Sequence, residues 1–457
     1  MSEKQVMPGD EYFNAASEQQ KSALSRRGFV GVASAAALTA MLGASLSACG
    51  GGSTTSGDTG TAASGAASTG AGAATGDIDF ANWDAVLEAA KGQTAYFYGW
   101  GGSEPRNTWL STSVASALKE KYDVTLELVG MDINDILTKL SGEKQAGVEE
   151  GSVDMMWING ENFFSAREND YLWGPFSANL PNFQDYVDAE SPEITHDFGT
   201  AVENYEAPYG KAQMQMWVDS AKITSTPKNP DEFLKFCEEH KGMVTYPEPG
   251  DFTGTAFISC LIAGVIGKDE FEKLSMMQSP TADEVKAIVQ PGLDYLKSLN
   301  PYLWKEGVTY PSDSMTVGTM YADGELVMNM GYSAPEALVA DGTLPDTTRS
   351  FLFDTGTVGN TNFMAIAYNS PRKAAAMVAI NEIMSPQMQL EQFETLSTIS
   401  VLDLDKLSQQ DAAAFDAVEL GVTQLPLDEL LDRRVVEAAG PVIPLLEQLW
   451  LEQVPGK

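Results

Sequence analysis

The sequence predicts an α/β protein of two domains, and three observations carry that expectation. From Thr94 onward, short runs rich in β-branched and aromatic residues alternate with segments of helical periodicity, the pattern of mixed, mostly parallel sheets flanked by helices. The alternation falters through "LPNFQDYVDAESPEITHDF" and then restarts as a second set. The chain from Ile78 to Lys457 is also long enough for two domains rather than one.

In chain order, residues 1–48 read as an export leader. "SRRGFV" places Arg26 and Arg27 just before a charge-free stretch, Phe29 to Ala48, that is rich in Ala, Gly and Ser. The arginine pair resembles a twin-arginine signal, for export of a folded chain. A run of this length would also suit a membrane span, but its small residues and its ending in "LSAC" favour a cleaved leader. That ending resembles a lipobox, with cleavage before Cys49 and a lipid on the new N-terminal cysteine. "GGGSTTSGDTGTAASGAASTGAGAATGD" follows, a tract that cannot bury a core; residues 49–77 are expected to be a lipidated tether with a reach of roughly 30 Å. The expected location is the extracytoplasmic face of the cell membrane.

The formal net charge of −36 belongs wholly to the part after Cys49, since four acidic and four basic residues precede it. So acidic a surface argues against nucleic acid as a partner. Its ordinary cause is solubility; attraction of cations is the sharper alternative. Cys237 and Cys260 fall in apolar helical patterns and are expected as buried thiols, with a bridge left open. Their spacing suggests no metal site, and no cofactor is expected.

The first unit begins with "TAYFYGW" as a strand, the turn "GGSEPRN", and a helix through Leu110, Val114, Ala117 and Leu118. "VTLELV" is a second strand, Ile136, Leu137 and Leu140 mark a helix, and "VDMMWI" is a third strand. Its unbroken apolarity places it centrally, covered on both faces, so Met156 and Trp157 are expected in the core. A longer strand runs through "GKAQMQMWVD". The second set comprises the helix "NPDEFLKFCEEHKG", the strand "MVTYP", a helix opened by "DFTGTAF", the strand "GELVMNMG" and a helix in "SAPEALVADG". "NTNFMAIAY" returns as a strand and helices follow, including "PRKAAAMVAINEIMS". The expected domains are residues 78–212 with 362–457, and 213–361.

Ligands of open α/β sheets bind outside the carboxyl ends of the strands, where loops and helix starts converge. "SVDMMWINGENFF" reaches such an end and supplies Asn159, Glu161 and Asn162; Trp100 and Gly101 hold the equivalent place after the first strand. The second set offers Asp251, Phe252, Thr253, Gly254 and Thr255, then Asn329 and Tyr332. Tyr209, Gln213 and Trp304 are candidate wall residues. Each has an ordinary alternative: Thr253 and Asn162 as helix caps, the glycines as turn residues, the aromatics as core.

The leader, the tether and the paired α/β halves resemble the type II extracellular solute-binding proteins of ABC importers. "GQTAYFYGWGG", "GSVDMMWINGENF", "VTYPEPGDFTGTAF" and "NPYLWKEG" are similar, in order, to the YnjB-type branch of that family, over Trp83 to about Lys457. The resemblance implies a type II periplasmic binding fold with a cleft between its domains, hinge closure on a small solute, and delivery by a monomer to a permease driven by a separate ATPase. It supplies no ligand. Glu161 and Asp251, with Trp100, Phe163, Tyr209, Phe252 and Trp304, would suit an organic cation such as thiamine or a polyamine, each cation–π contact contributing roughly 0.5–2 kcal/mol. Helix starts at "TGTAF" and after "NGEN" favour an anionic group, and a phosphorylated thiamine would meet both demands. Ferric iron is disfavoured, because His196 and His240 are the only histidines and no paired-tyrosine motif stands out.

An enzyme is the competing class. Glu161 and Asp251 could in principle form the carboxylate pair of a secreted hydrolase. The chain lacks a G-x-S-x-G elbow, a zinc-binding histidine pair and a Walker-type loop, so nothing beyond residue type supports catalysis.

Overall fold

A computed structural model describes residues 78–456; the leader, Cys49 and the tether lie outside the described residues. Twelve strands form three sheets. The first sheet holds β1 (Thr94–Gly99), β2 (Thr125–Gly130), β3 (Met155–Ile158), β4 (Leu172–Trp173), β7 (Glu206–Gln213), β11 (Thr357–Ala367) and β12 (Arg434–Val436), with the path β12-β11-β3-β1-β2 and with β4 and β7 also on β11. The second holds β8 (Gln215–Asp219), β9 (Met328–Gly331) and β10 (Thr348–Phe351) in the order β10-β8-β9. A short hairpin joins β5 (His196–Asp197) to β6 (Thr200–Ala201).

The expectation for β3 is met, because it lies between β11 and β1. Its side chains alternate between faces: Met155 joins one core and Met156 and Ile158 the other, all three fully buried. Trp157 departs from the core expectation. It shares the face of Met155 but is only partly buried, at the end of the strand where that core opens.

The helix after β1 runs Glu104–Trp109, widens into a π-helical turn over Leu110–Val114 and continues as Ala115–Tyr122. Pro105 in its first turn needs no hydrogen-bond donor there, so the predicted turn "GGSEPRN" already holds the helix start.

The strand expected through residues 210–219 is interrupted at Met214, whose N–H goes to the Val358 carbonyl at 2.8 Å. Its two halves, β7 and β8, pair in different sheets. The chain crosses back between β10 and β11. The second sheet is antiparallel throughout, against the mostly parallel pairing expected of both halves, because β8 sits between two strands that run against it. "MVTYP" is not a strand. It ends in Pro247 with Pro249 just beyond, and the segment bonds singly to Trp304 and Val327 instead of forming a ladder.

Behind the second sheet the almost wholly buried helix Phe252–Ile266 packs against the helix Ala282–Leu299. The terminal helix Ile443–Gln453 joins this core, with Trp450 Nε1 donating to Tyr246 Oη at 3.2 Å. The expected division placed it with the first sheet; its apolar face, Leu446, Leu449 and Trp450, is buried among residues of the 213–361 segment. Cys237 and Cys260 are both free and buried, and burial pushes the Cys260 thiol up to about 12.

Candidate functional site

At the carboxyl ends of β1 and β2 lies a cavity of about 270 Å³, lined by Phe97, Gly99, Trp100, Gly101, Arg106, Asn107, Leu110, Leu128, Val129, Gly130, Trp157 and Tyr209. Its floor depends on glycine: a Cβ on Gly101 would stand 3.1 Å from the Gly130 Cα, so two loop backbones meet without side chains. Asn107 Nδ2 donates to the Gly101 carbonyl at 2.6 Å and ties the loop to the helix. The Arg106 guanidinium lies 5.7 Å from the centre of the Trp100 ring. Tyr209 is 5 % exposed and meets Trp109 edge-on at 6.3 Å.

The cavity therefore gathers Trp100, Gly101 and Tyr209 from the residues expected at the site. It adds Arg106, Asn107 and Trp157, which sequence reasoning placed in a turn or in the core. The signal for Arg106 and Asn107 was Pro105 after Ser103, which starts a helix directly behind the strand end.

The other expected residues lie outside the cavity lining. Asn159 Nδ2 donates to Asn362 Oδ1 at 3.0 Å, joining β3 to β11. Gly160 has φ +54 and donates its N–H to the buried Asp197 carboxylate, so the helix start faces an internal acid. Glu161 is exposed, Asn162 half-buried, and Phe163 wholly buried against expectation, because it turns into the core beneath its helix. Asp197 Oδ1 and both Glu206 carboxylate oxygens are buried without partners. Burial raises both acids well above the ordinary range, Asp197 raises Glu206 further, and a shared negative charge is opposed. Beside Asp197 and Glu437 is a cavity of about 20 Å³, room for a water molecule.

Asp251 caps the helix Phe252–Ile266: Oδ1 accepts from Gly254 N at 3.0 Å and Oδ2 from Ser314 N at 3.1 Å. Burial pushes its pKa up against those donors. Thr253 is buried, Thr255 Oγ1 donates to Glu447 at 2.8 Å, and a Cβ on Gly254 would lie 2.3 Å from the Pro247 carbonyl oxygen. Phe252 stacks on Tyr332 at 4.7 Å, and Tyr332 Oη donates to Glu437 at 2.7 Å. Gln213 donates to Thr357 at 3.0 Å, and Asn329 Oδ1 accepts from Met330 N at 2.8 Å. Trp304 packs on the small cluster around Trp217, with Lys305 Nζ 3.8 Å from its ring centre. Among the described residues no group of three or more His, Cys, Asp or Glu is placed to hold a metal ion.

Strand-end cavity and paired sheets define a class. Residues 113–414 match the family model for bacterial extracellular solute-binding proteins, and the chain belongs to that family. It is similar to protein YnjB of Escherichia coli K12, at 31 % identity over 379 residues, covering 82 % of this chain and 94 % of that protein. Among solved structures, the maltose-binding protein MalE of Listeria monocytogenes in complex with maltose aligns with a TM-score of 0.57 at 13 % identity, over 79 % of this chain and 92 % of that one. The spermidine/putrescine substrate-binding protein PotD of Streptococcus pneumoniae aligns with a TM-score of 0.54 at 13 % identity, over 79 % and 98 %. The fold is that of the type II periplasmic binding proteins, and the chain is the solute-binding component of an ABC transporter rather than an enzyme. Among the described residues no helix is long and apolar enough to cross a membrane.

Proposed function

We propose that the chain captures a small solute in the cavity between β1, β2 and the helix from Glu104, and hands it to an ABC permease at the membrane surface. The cavity carries this reading: it is aromatic-walled, lies at strand carboxyl ends and holds few polar groups, as solute sites do. Residues 78–212 with 362–457 would form one lobe and 213–361 the other, with the terminal helix Ile443–Gln453 packed on the second. The crossings at Met214 and between β10 and β11 would bend as the lobes close. Lipid on Cys49, after export directed by Arg26 and Arg27, would hold a monomer near its permease.

An organic cation loses its two charged contacts. Glu161 is exposed away from the cavity lining, and both oxygens of Asp251 are engaged by backbone N–H groups. The hydrolase alternative loses the same pair.

The test is native mass spectrometry of the full-length chain, compared with its denatured mass and repeated after exposure to a cell extract. One retained small molecule per chain, released unchanged, is the expected outcome. A product of altered mass would replace the binding reading with an enzymatic one.

A further inference from the structure

Resting on the solute-binding reading, we propose that the solute is an acid. Its oxyanion group meets Arg106 and Trp157, and its flat or apolar body lies among Trp100, Phe97 and Leu128.

Two donors without acceptors carry the proposal. Arg106 Nε and Trp157 Nε1 are both shielded from water and both lack a hydrogen-bond partner. Each can only donate. A buried donor left unpaired is costly, and both side chains line the same cavity, so an acceptor brought by the solute would relieve them once a small shift exposes the N–H groups. Charge points the same way. None of the twelve lining residues is an Asp or Glu, and among the described residues no carboxylate pairs with Arg106. The other guanidiniums with a recorded ion pair, such as Arg372 with Asp154 at 2.7 Å, meet an acid of the chain itself.

A cation in this cavity would face the Arg106 charge, with no acid in the lining to offset it, and be repelled. A carboxylate, phosphate or sulfonate would receive charge-assisted bonds from it, the geometry at which guanidinium excels. The wall is fixed in advance: Asn107 holds the Gly101 loop, and Leu110, three and four residues after Asn107 and Arg106, falls on the same face of the helix.

The full-length chain is titrated with phenyl phosphate, benzoate, benzyl alcohol and benzylamine, followed by tryptophan fluorescence. It is then exposed to a cell extract and the retained solute identified by native mass spectrometry. The anions, or a retained acid, are expected to bind; Arg106→Gln should weaken them about ten- to a hundredfold, with Arg106→Lys recovering part of the loss. The empty variants should melt with the wild type; should Arg106→Gln fail to fold, the probe panel and Arg106→Lys decide. Preference for benzylamine or benzyl alcohol, a retained neutral or cationic solute, or unchanged anion binding in Arg106→Gln would overturn the acid and leave solute binding standing. If nothing binds, neither from the panel nor from the extract, the assignment of this cavity as the solute site falls.

Discussion

Arg434 and Arg106 are both guanidiniums drawn back from open water, and they are treated in opposite ways. Arg434 stands where the chain crosses between sheets and is 5 % exposed. Its Nε donates to Glu193, Nη1 to the Ala212 carbonyl at 2.9 Å and Nη2 to the Asn360 carbonyl at 2.6 Å. Lys211 completes the group at 2.6 Å from Glu193. Arg106 lines the cavity with its guanidinium over the face of Trp100 and its Nε without a hydrogen-bond partner. A polar group whose bonds close within the chain belongs to the framework; one whose bonds stay open is available to a ligand.

That contrast is broken most directly at Arg434. Arg434→Gln should lower stability by roughly 3–5 kcal/mol, because Glu193 and two backbone carbonyls lose donors inside the protein. Urea unfolding reads the loss, and a wild-type midpoint would refute the framework role. Acid attacks the same group. Burial alone would raise Glu193, but Arg434 and Lys211 prevail and hold it at about 2, from an ordinary value of 4.5. A depressed carboxylate stabilises the fold at all pH above its ordinary value, and that contribution is lost as pH falls from 4.5 toward 2. The contribution is on the order of 3 kcal/mol. The stability gap between wild type and Glu193→Gln should therefore shrink over that window, and a gap independent of pH would exclude the ion-pair account.

Asp251, at the start of the helix Phe252–Ile266, sharpens the comparison. Asp251→Ala removes the cap of a fifteen-residue helix and its link to Ser314, and should cost about 1–2 kcal/mol with solute affinity intact. Lost affinity at unchanged stability would move Asp251 from the framework to the ligand.

Asp251 also shows where the sequence was legible. The apolar quartet of β3, the helix from Phe252 and the strand-end position of Trp100 follow from periodicity and turn chemistry, which are local. Whether Asp251 faces a solute or Ser314 depends on which segment folds over it, sixty-three residues away. Trp157 was misread for a related reason. A period of two assigns its face, but only the helix from Glu104 determines whether that face is filled or open. Arg106 was hidden because "GGSEPRN" carries the same Gly, Ser and Pro signals for a turn as for a helix start.

The smallest effect is the most discriminating. Trp157 Nε1 and Trp109 Nε1 are both buried without acceptors, but only Trp157 lines the cavity; Trp109 is 3 % exposed within the core of the first sheet. Replacing each by Phe removes one unpaired N–H and some ring area. If an unused donor signals a ligand only where a cavity opens, Trp157→Phe should weaken acid binding about fivefold, the value of one hydrogen bond, without shifting the melting temperature. Trp109→Phe should leave affinity unchanged, since no ligand reaches it, while losing some core packing. Equal losses of affinity in both would mean that the rings, not the N–H of Trp157, set the binding. The oxyanion would then rest on Arg106 alone.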